Sequence, residues 1–286
     1  MSSPVLRFAP SPNGNLHLGH ALSALLTAEW ARRLNGRFLL RIEDIDTART
    51  RPEFVEAIFT DLRWLGLEWE EPVLFQSTRF ETYARFADRL RARGLLYPCF
   101  CSRSDSAARA EGTDPDGAPL YPGTCRHLDQ KDAERRLATG EQANWRLDTR
   151  RASERVGALA FTMAEPTPLD RPRIRYARPE RWGDVVLVRK DTPTSYHLSV
   201  VVDDAEQGIT HVTRGRDMEA ATDIHTLLQA LFALPMPNYT FHRLILDDEG
   251  RKLSKSRLSQ SLSDLRASGW TPDDVRRALG LLSLSG

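Results

Sequence analysis

Lysine is nearly missing from this chain of 286 residues: Lys131, Lys190, Lys252 and Lys255 are the only four, so 36 of the 40 basic residues are arginines. An excess of one charge is missing too. The 40 basic residues face 39 acidic ones for a formal net charge of +1, which excludes binding to nucleic acid through a general basic field and leaves room only for a local patch. Long apolar runs are absent. The stretches 185–188 and 232–237 soon meet charge or turn residues, far short of the roughly 20 apolar residues that span a bilayer. The N-terminus, Met1-Ser-Ser-Pro-Val-Leu-Arg, has no basic segment leading into an apolar one, so the cytoplasm is the expected compartment and no membrane partner is read. Cysteine is scarce: Cys99, Cys101 and Cys125 are odd in number and confined to one segment, which argues against a secreted disulfide framework.

What is present is an ordinary globular composition, 41% hydrophobic and 28% charged, with length for about two domains. From His20 to Leu34, Leu22, Leu25, Leu26, Trp30 and Leu34 recur at helical spacing up to Asn35-Gly36. Phe38-Leu-Leu-Arg-Ile-Glu-Asp reads as a buried strand. Helices follow on Phe54, Val55, Ile58, Leu62 and Leu65, and on Phe80, Tyr83, Ala87 and Leu90. This β-α alternation predicts an α/β fold with a parallel sheet. From Cys99 to about Trp182 the pattern dissolves into Gly, Pro, Asp and Arg, which predicts an inserted subdomain over 99–182. Alternation resumes with strands expected at Asp184–Val188, Tyr196–Val202 and Gly208–Thr213, then a helix from Met218 to Leu234. One open sheet is expected to span the insertion. The domains expected are 1–98 with 183–245, the insertion, and a short helical region over 246–286, where Thr271-Pro-Asp-Asp marks a helix start.

Two motifs carry chemistry. In Ala9-Pro-Ser-Pro-Asn-Gly-Asn-Leu-His17-Leu-Gly19-His20 a Pro/Gly loop delivers two histidines, one helical turn apart, into a helix start, where backbone N–H groups and imidazoles suit phosphate oxygens and Gly19 permits close approach. A metal-binding pair or two capping histidines are the alternatives. In Lys252-Leu-Ser-Lys255-Ser256, two of four lysines fall in one pentapeptide, which suggests compact, mobile ammonium groups for phosphate; a solvated turn is the alternative.

Together these elements resemble the signature pair of the class I aminoacyl-tRNA synthetases. Arg7-Phe-Ala-Pro-Ser-Pro-Asn-Gly, Arg41-Ile-Glu43-Asp-Ile-Asp46, Tyr196-His-Leu-Ser-Val-Val-Val-Asp-Asp and Gly208-Ile-Thr-His-Val-Thr-Arg214-Gly resemble the glutamyl subfamily, over nearly the whole chain. Asn13 and Leu18 depart from its usual Thr and Ile. The resemblance implies a Rossmann-type catalytic domain that activates L-glutamate with Mg²⁺ and ATP. It implies catalytic roles for His17, His20, Lys252 and Lys255, and ATP contacts from His17, Gly19, His20 and Lys255. Glutamate, with one ammonium and two carboxylates, calls for an acid and an arginine fork. Glu43 is expected on the ammonium, Arg7 and Arg214 on the carboxylates, with Phe8, Ala9, Pro10, Ser11 and Tyr196 completing the pocket.

Only 30 residues follow Ser256, about 45 Å as a helix, too few for an anticodon-binding domain. This shortness and the cysteine segment resemble the glutamyl-queuosine branch of the subfamily, which attaches glutamate to the queuosine base of tRNA(Asp). The resemblance implies that acceptor; the alternatives are the 3′ end of a tRNA, or a catalytically silent tRNA-binding module. No DNA partner is expected, and a monomer is.

Cys99-Phe-Cys101 and Cys125, 24 residues further on, offer three of the four ligands that a structural zinc needs. From spacing alone His127 is the natural fourth, while the family resemblance favours Tyr121. Finally, Arg171, Arg173, Arg175, Arg178 and Arg181, interleaved with Tyr176 and Trp182, read as an RNA contact or as a solvated face of an arginine-rich chain.

Overall fold

The computed structural model describes residues 3–165, 167–245 and 260–281. The expected alternation opens the chain as β1 (Val5–Phe8), α1 (Leu18–Arg33), β2 (Arg37–Ile42), α2 (Pro52–Trp64), β3 (Glu70–Phe75) and α3 (Phe80–Ala92). Gly66 and Gly94 take positive φ just beyond α2 and α3, where a helix closes most cheaply on a residue without Cβ. β4 (Leu96–Cys99), α4 (Arg103–Ala108), α5 (Gln130–Ala138), β5 (Asn144–Leu147), α6 (Thr149–Val156), β6 (Ala160–Met163) and β7 (Arg173–Tyr176) follow. The chain continues through β8 (Val186–Val188), α7 (Tyr196–Glu206), β9 (His211–Gly215), α8 (Thr222–Phe232), β10 (Asn238–His242), α9 (Leu262–Ala267) and α10 (Pro272–Ala278).

The single open sheet expected from the sequence is instead three sheets among the described residues. β1, β2 and β3 are parallel. β9, β10 and β6 are parallel too, with β7 antiparallel at the edge. These two sheets meet where β1 lies beside β9. Thr210 N donates to Val5 O at 3.0 Å and Val5 N to Thr210 Oγ1 at 2.8 Å, and no ladder continues beyond that point. β2 lies on one side of the junction and β10 on the other, so the strand order reverses there. In open α/β sheets this switch point is where a crevice forms at the strand C-termini. The third sheet is antiparallel and draws β4, β5 and β8 from before, within and after the stretch 99–182.

A second correction concerns Tyr196–Val202, expected as a strand and observed as the start of α7. The Val200-Val201-Val202 run favours a strand locally. The segment is buried on nearly every side, however, from Leu198 to Asp204, and a fully buried helix loses the one-sided periodicity that would reveal it. Helical geometry also puts Tyr196 and Asp204, eight residues apart, on one face. The helix start at Thr271 is as expected, the Thr271 hydroxyl accepting from Asp274 N.

α9 and α10 pack Leu262, Leu265, Val275 and Leu279 in one core with Leu16 of the loop before α1, Leu22 of α1, and Ile58 and Leu62 of α2. Leu262 N donates to Leu16 O at 2.8 Å, and Arg266 pairs with the buried Asp61 at 3.0 Å. The C-terminal helices are thereby fixed directly beside the His17 loop.

Candidate active site

A cavity of about 620 Å³ opens at the switch point, walled by the C-terminal ends of β1, β2, β9 and β10 and the start of α1. It brings together Arg7, Phe8, Ala9, Pro10, Ser11, His17, Gly19, His20, Glu43, Tyr196 and Arg214, all singled out in the sequence. Lys252 and Lys255 lie outside the described residues. The residues flanking that segment border the site: Ile245 lines the cavity, and Ser261 forms an isolated bridge with His17.

His17 is the N-cap of α1. Its Nδ1 accepts from Gly19 N at 3.1 Å, while His20 Nδ1 accepts from His17 N at 3.2 Å, a capping box built from imidazoles. The capping alternative therefore holds, and it settles the tautomers. A neutral ring whose Nδ1 accepts carries its proton on Nε2, a donor suited to phosphate oxygen. The two rings stand 3.9 Å apart. Gly19, expected to leave room for a ligand, lines the cavity and has a second use as well. A Cβ there would come within 2.9 Å of His17 Cε1, so the glycine makes room for the capping ring itself. Gly19→Ala should displace that ring and release the first turn. Amide exchange at Gly19 to Ala21 is expected to accelerate about fivefold, the loss of a cap worth about 1 kcal/mol; unchanged protection would refute this.

The charges are divided unequally. Arg7 is spent on Asp204, Nε to Oδ1 at 2.8 Å and Nη2 to Oδ2 at 3.1 Å. Arg41, fully buried, joins Asp204 Oδ1 at 2.8 Å and Glu43 Oε1 at 3.1 Å. Burial resists the ionisation of Asp204, but the two guanidiniums outweigh it and hold the carboxyl below 3.8. At Glu43 burial wins over Arg41 and Arg7 and lifts the carboxyl above 4.5, so a ligand ammonium there would be welcome.

Arg214 differs from both. It is only 7% exposed, yet its partners are neutral: Thr222 Oγ1 at 2.6 Å, His225 Nδ1 at 3.1 Å and Tyr196 Oη at 3.5 Å, with Nε unpartnered. No carboxylate pairs with it among the described residues. A buried cation without a counter-charge is costly, and a ligand carboxylate would relieve that cost.

Arg41, Asp204, Thr222, His197 and His225 were not assigned from the sequence. Asp204 belongs to the Val-Val-Val-Asp-Asp run quoted above, but nothing local says which Asp meets which arginine. Asp203 turns the other way, to Gln76, Arg79 and Tyr83. Asp44 and Asp46, not assigned to the substrate, bond Ser77 and Arg49.

Away from the cavity, the sulfurs of Cys99, Cys101 and Cys125 lie within 4.8 Å of one another. This donor set could hold one metal ion. Tyr121 Oη stands 3.2 Å from Cys99 Sγ and 3.8 Å from Cys101 Sγ, and it accepts from Cys125 N at 2.8 Å, leaving a lone pair toward the sulfurs. Arg146 lies 3.7 Å over the Tyr121 ring. His127 is exposed and outside the cluster.

A Rossmann-like α/β core with this cavity and histidine-capped first helix defines the class. The chain belongs to the class I tRNA synthetases (E and Q), catalytic domain, the family that matches residues 5–285. It is 47% identical over 288 residues to the glutamyl-Q tRNA(Asp) synthetase of Rhodobacter capsulatus, covering 97% of this chain and 100% of that one. It is 41% identical to the protein of the same name from Symbiobacterium thermophilum, covering 97% and 85%. The solved glutamate-tRNA synthetase of Elizabethkingia anophelis superposes with a TM-score of 0.71 at 26% identity, over 94% of this chain and 54% of that one, so the chain spans about half the length of that longer relative.

Proposed function

We propose that the protein activates L-glutamate with ATP and transfers the glutamyl group to the queuosine base of tRNA(Asp), in the cytoplasm. The observation that carries this reading is Arg214, a buried guanidinium with no carboxylate partner among the described residues, sharing a cavity with Glu43 and the two histidine donors. Arg214 would take the side-chain carboxylate of glutamate and Glu43 the ammonium, with Ser11, Tyr196 and the Arg7 Nη1 that Asp204 does not engage completing the contacts. The α-carboxylate is thereby left to attack the α-phosphorus of ATP, forming glutamyl-adenylate as pyrophosphate departs. Nε2–H of His17 and His20 would meet the phosphates, together with Lys252 and Lys255 and the Mg²⁺ that accompanies ATP. Positioning and electrostatic stabilisation are the protein's contributions here, with no covalent intermediate. The names of the most similar relatives support the queuosine acceptor.

The test has two stages. Glutamate-dependent ATP-pyrophosphate exchange is expected; its absence would favour a silent tRNA-binding module. Labelled glutamate charged onto queuosine-bearing tRNA(Asp) should survive removal of the 3′ adenosine. Loss of label with that adenosine would assign transfer to the 3′ end instead.

The donor set fits zinc held by Cys99, Cys101, Cys125 and Tyr121, a structural ion that would cross-link β4 to the loop before α5. One zinc per chain is expected by metal analysis, lost in Tyr121→Phe and retained in His127→Ala. The reverse pattern would make His127 the ligand, and a zinc-free wild type would end the assignment.

A further inference from the structure

Behind Arg214 stands a pair of histidines that the reaction does not use. Arg214 Nη1 lies 3.1 Å from His225 Nδ1, and His225 Nε2 lies 3.3 Å from His197 Nδ1. A guanidinium only donates, so His225 Nδ1 must accept; its proton is then on Nε2, and that N–H donates to His197. One proton arrangement satisfies the whole relay. His225 is buried and His197 half-buried, and both are kept neutral: desolvation, followed by the nearby Arg214 charge, pushes His197 down to about 4 and His225 well below its ordinary 6.5. Tyr196 packs against both rings at 5.5–5.6 Å, and Trp182 meets His197 edge-on at 5.6 Å.

Arg7 and Arg41 are held by Asp204, whose single negative charge offsets part of theirs. Arg214 is oriented just as firmly by acceptors that carry no charge. We propose that His225, backed by His197, is a positioning residue that aims the Arg214 fork while keeping its positive charge uncancelled, and that this neutral clamp sets the preference for a ligand carboxylate over an amide. The proposal rests on the reading of Arg214 as the site of the glutamate side-chain carboxylate.

Three substitutions separate aim from charge, read by ATP-pyrophosphate exchange with glutamate and with glutamine. His225→Asn keeps an acceptor near the Nδ1 position and should hold KM for glutamate within about threefold of wild type. His225→Leu removes the acceptor and should raise that KM at least tenfold, with kcat and KM for ATP little changed. His225→Asp supplies an internal counter-charge, so KM for glutamate should rise further and the preference over glutamine should collapse. Thermal unfolding of each variant identifies any that fails to fold, and the Asn variant then decides alone through its retained KM and discrimination. If His225→Leu keeps the wild-type KM, or His225→Asp still prefers glutamate as strongly, the clamp is refuted while glutamate activation stands. If the wild type shows no glutamate-dependent exchange, the reading beneath it fails first.

Discussion

Arg214→Ala is expected to abolish most glutamate activation while leaving the protein as stable as before, or more so. Pairing of a ligand carboxylate with a buried, pre-aimed guanidinium is worth about 2–5 kcal/mol, so kcat/KM for glutamate in ATP-pyrophosphate exchange should fall by about 30- to 4,000-fold. Arg214→Lys should recover little, since an ammonium cannot reproduce the planar fork. The thermal midpoint should hold or rise, because the partners of this buried cation among the described residues are all neutral. A midpoint several degrees lower, with activity within tenfold of wild type, would make Arg214 a structural cation instead.

Asp204→Leu is expected to do the opposite and destabilise the fold rather than merely inactivate the site. It strands Arg7 without a partner and leaves Arg41 only Glu43 and Gln207. Removing one member of a buried ion pair costs about 3–5 kcal/mol, a fall in thermal midpoint of about 10 °C for a chain of this size. Adding Arg7→Met should restore part of the loss, as the second change removes the abandoned charge. Additive losses would argue against the ion-pair account. The sign with pH follows from the depressed carboxyl: its stabilisation is complete above 3.8 and is lost as pH falls through the lower folded value. The wild type should therefore lose stability more steeply than the variant in strong acid. Glu43 runs the other way. Raised above 4.5, it favours the fold while protonated and costs stability as pH climbs through its folded value, a cost that a bound ammonium would remove.

The sequence exposed those features whose cause is local. The loop to His17 and His20 and the helix start at Thr271 announce themselves within about a dozen residues, the three cysteines within one segment from Cys99 to Cys125, and the structure places them accordingly. Tyr196–Val202 reads as a strand because three consecutive valines speak for one when only neighbours are considered; packing against α3, α8 and β8 decides for a helix. Membership of the cavity was legible for Arg7, Glu43, Tyr196 and Arg214. The division of labour among them was not. Whether an arginine is spent or available depends on Asp204 and His225, which reach it only after strands far apart in sequence lie side by side.

The junction of β1 and β9 also says something about change over time. The cleft exists because two ladders stop being stitched beyond Val5 and Thr210, while each strand keeps its own outer partner, β2 or β10. Its opening is thus a property of the backbone, and the chemistry it accepts is written by side chains at the fringe. Substitutions at Glu43 or Arg214 can redirect what is bound without disturbing the register that holds the cleft open, so one inherited mould can serve several amino acids in turn.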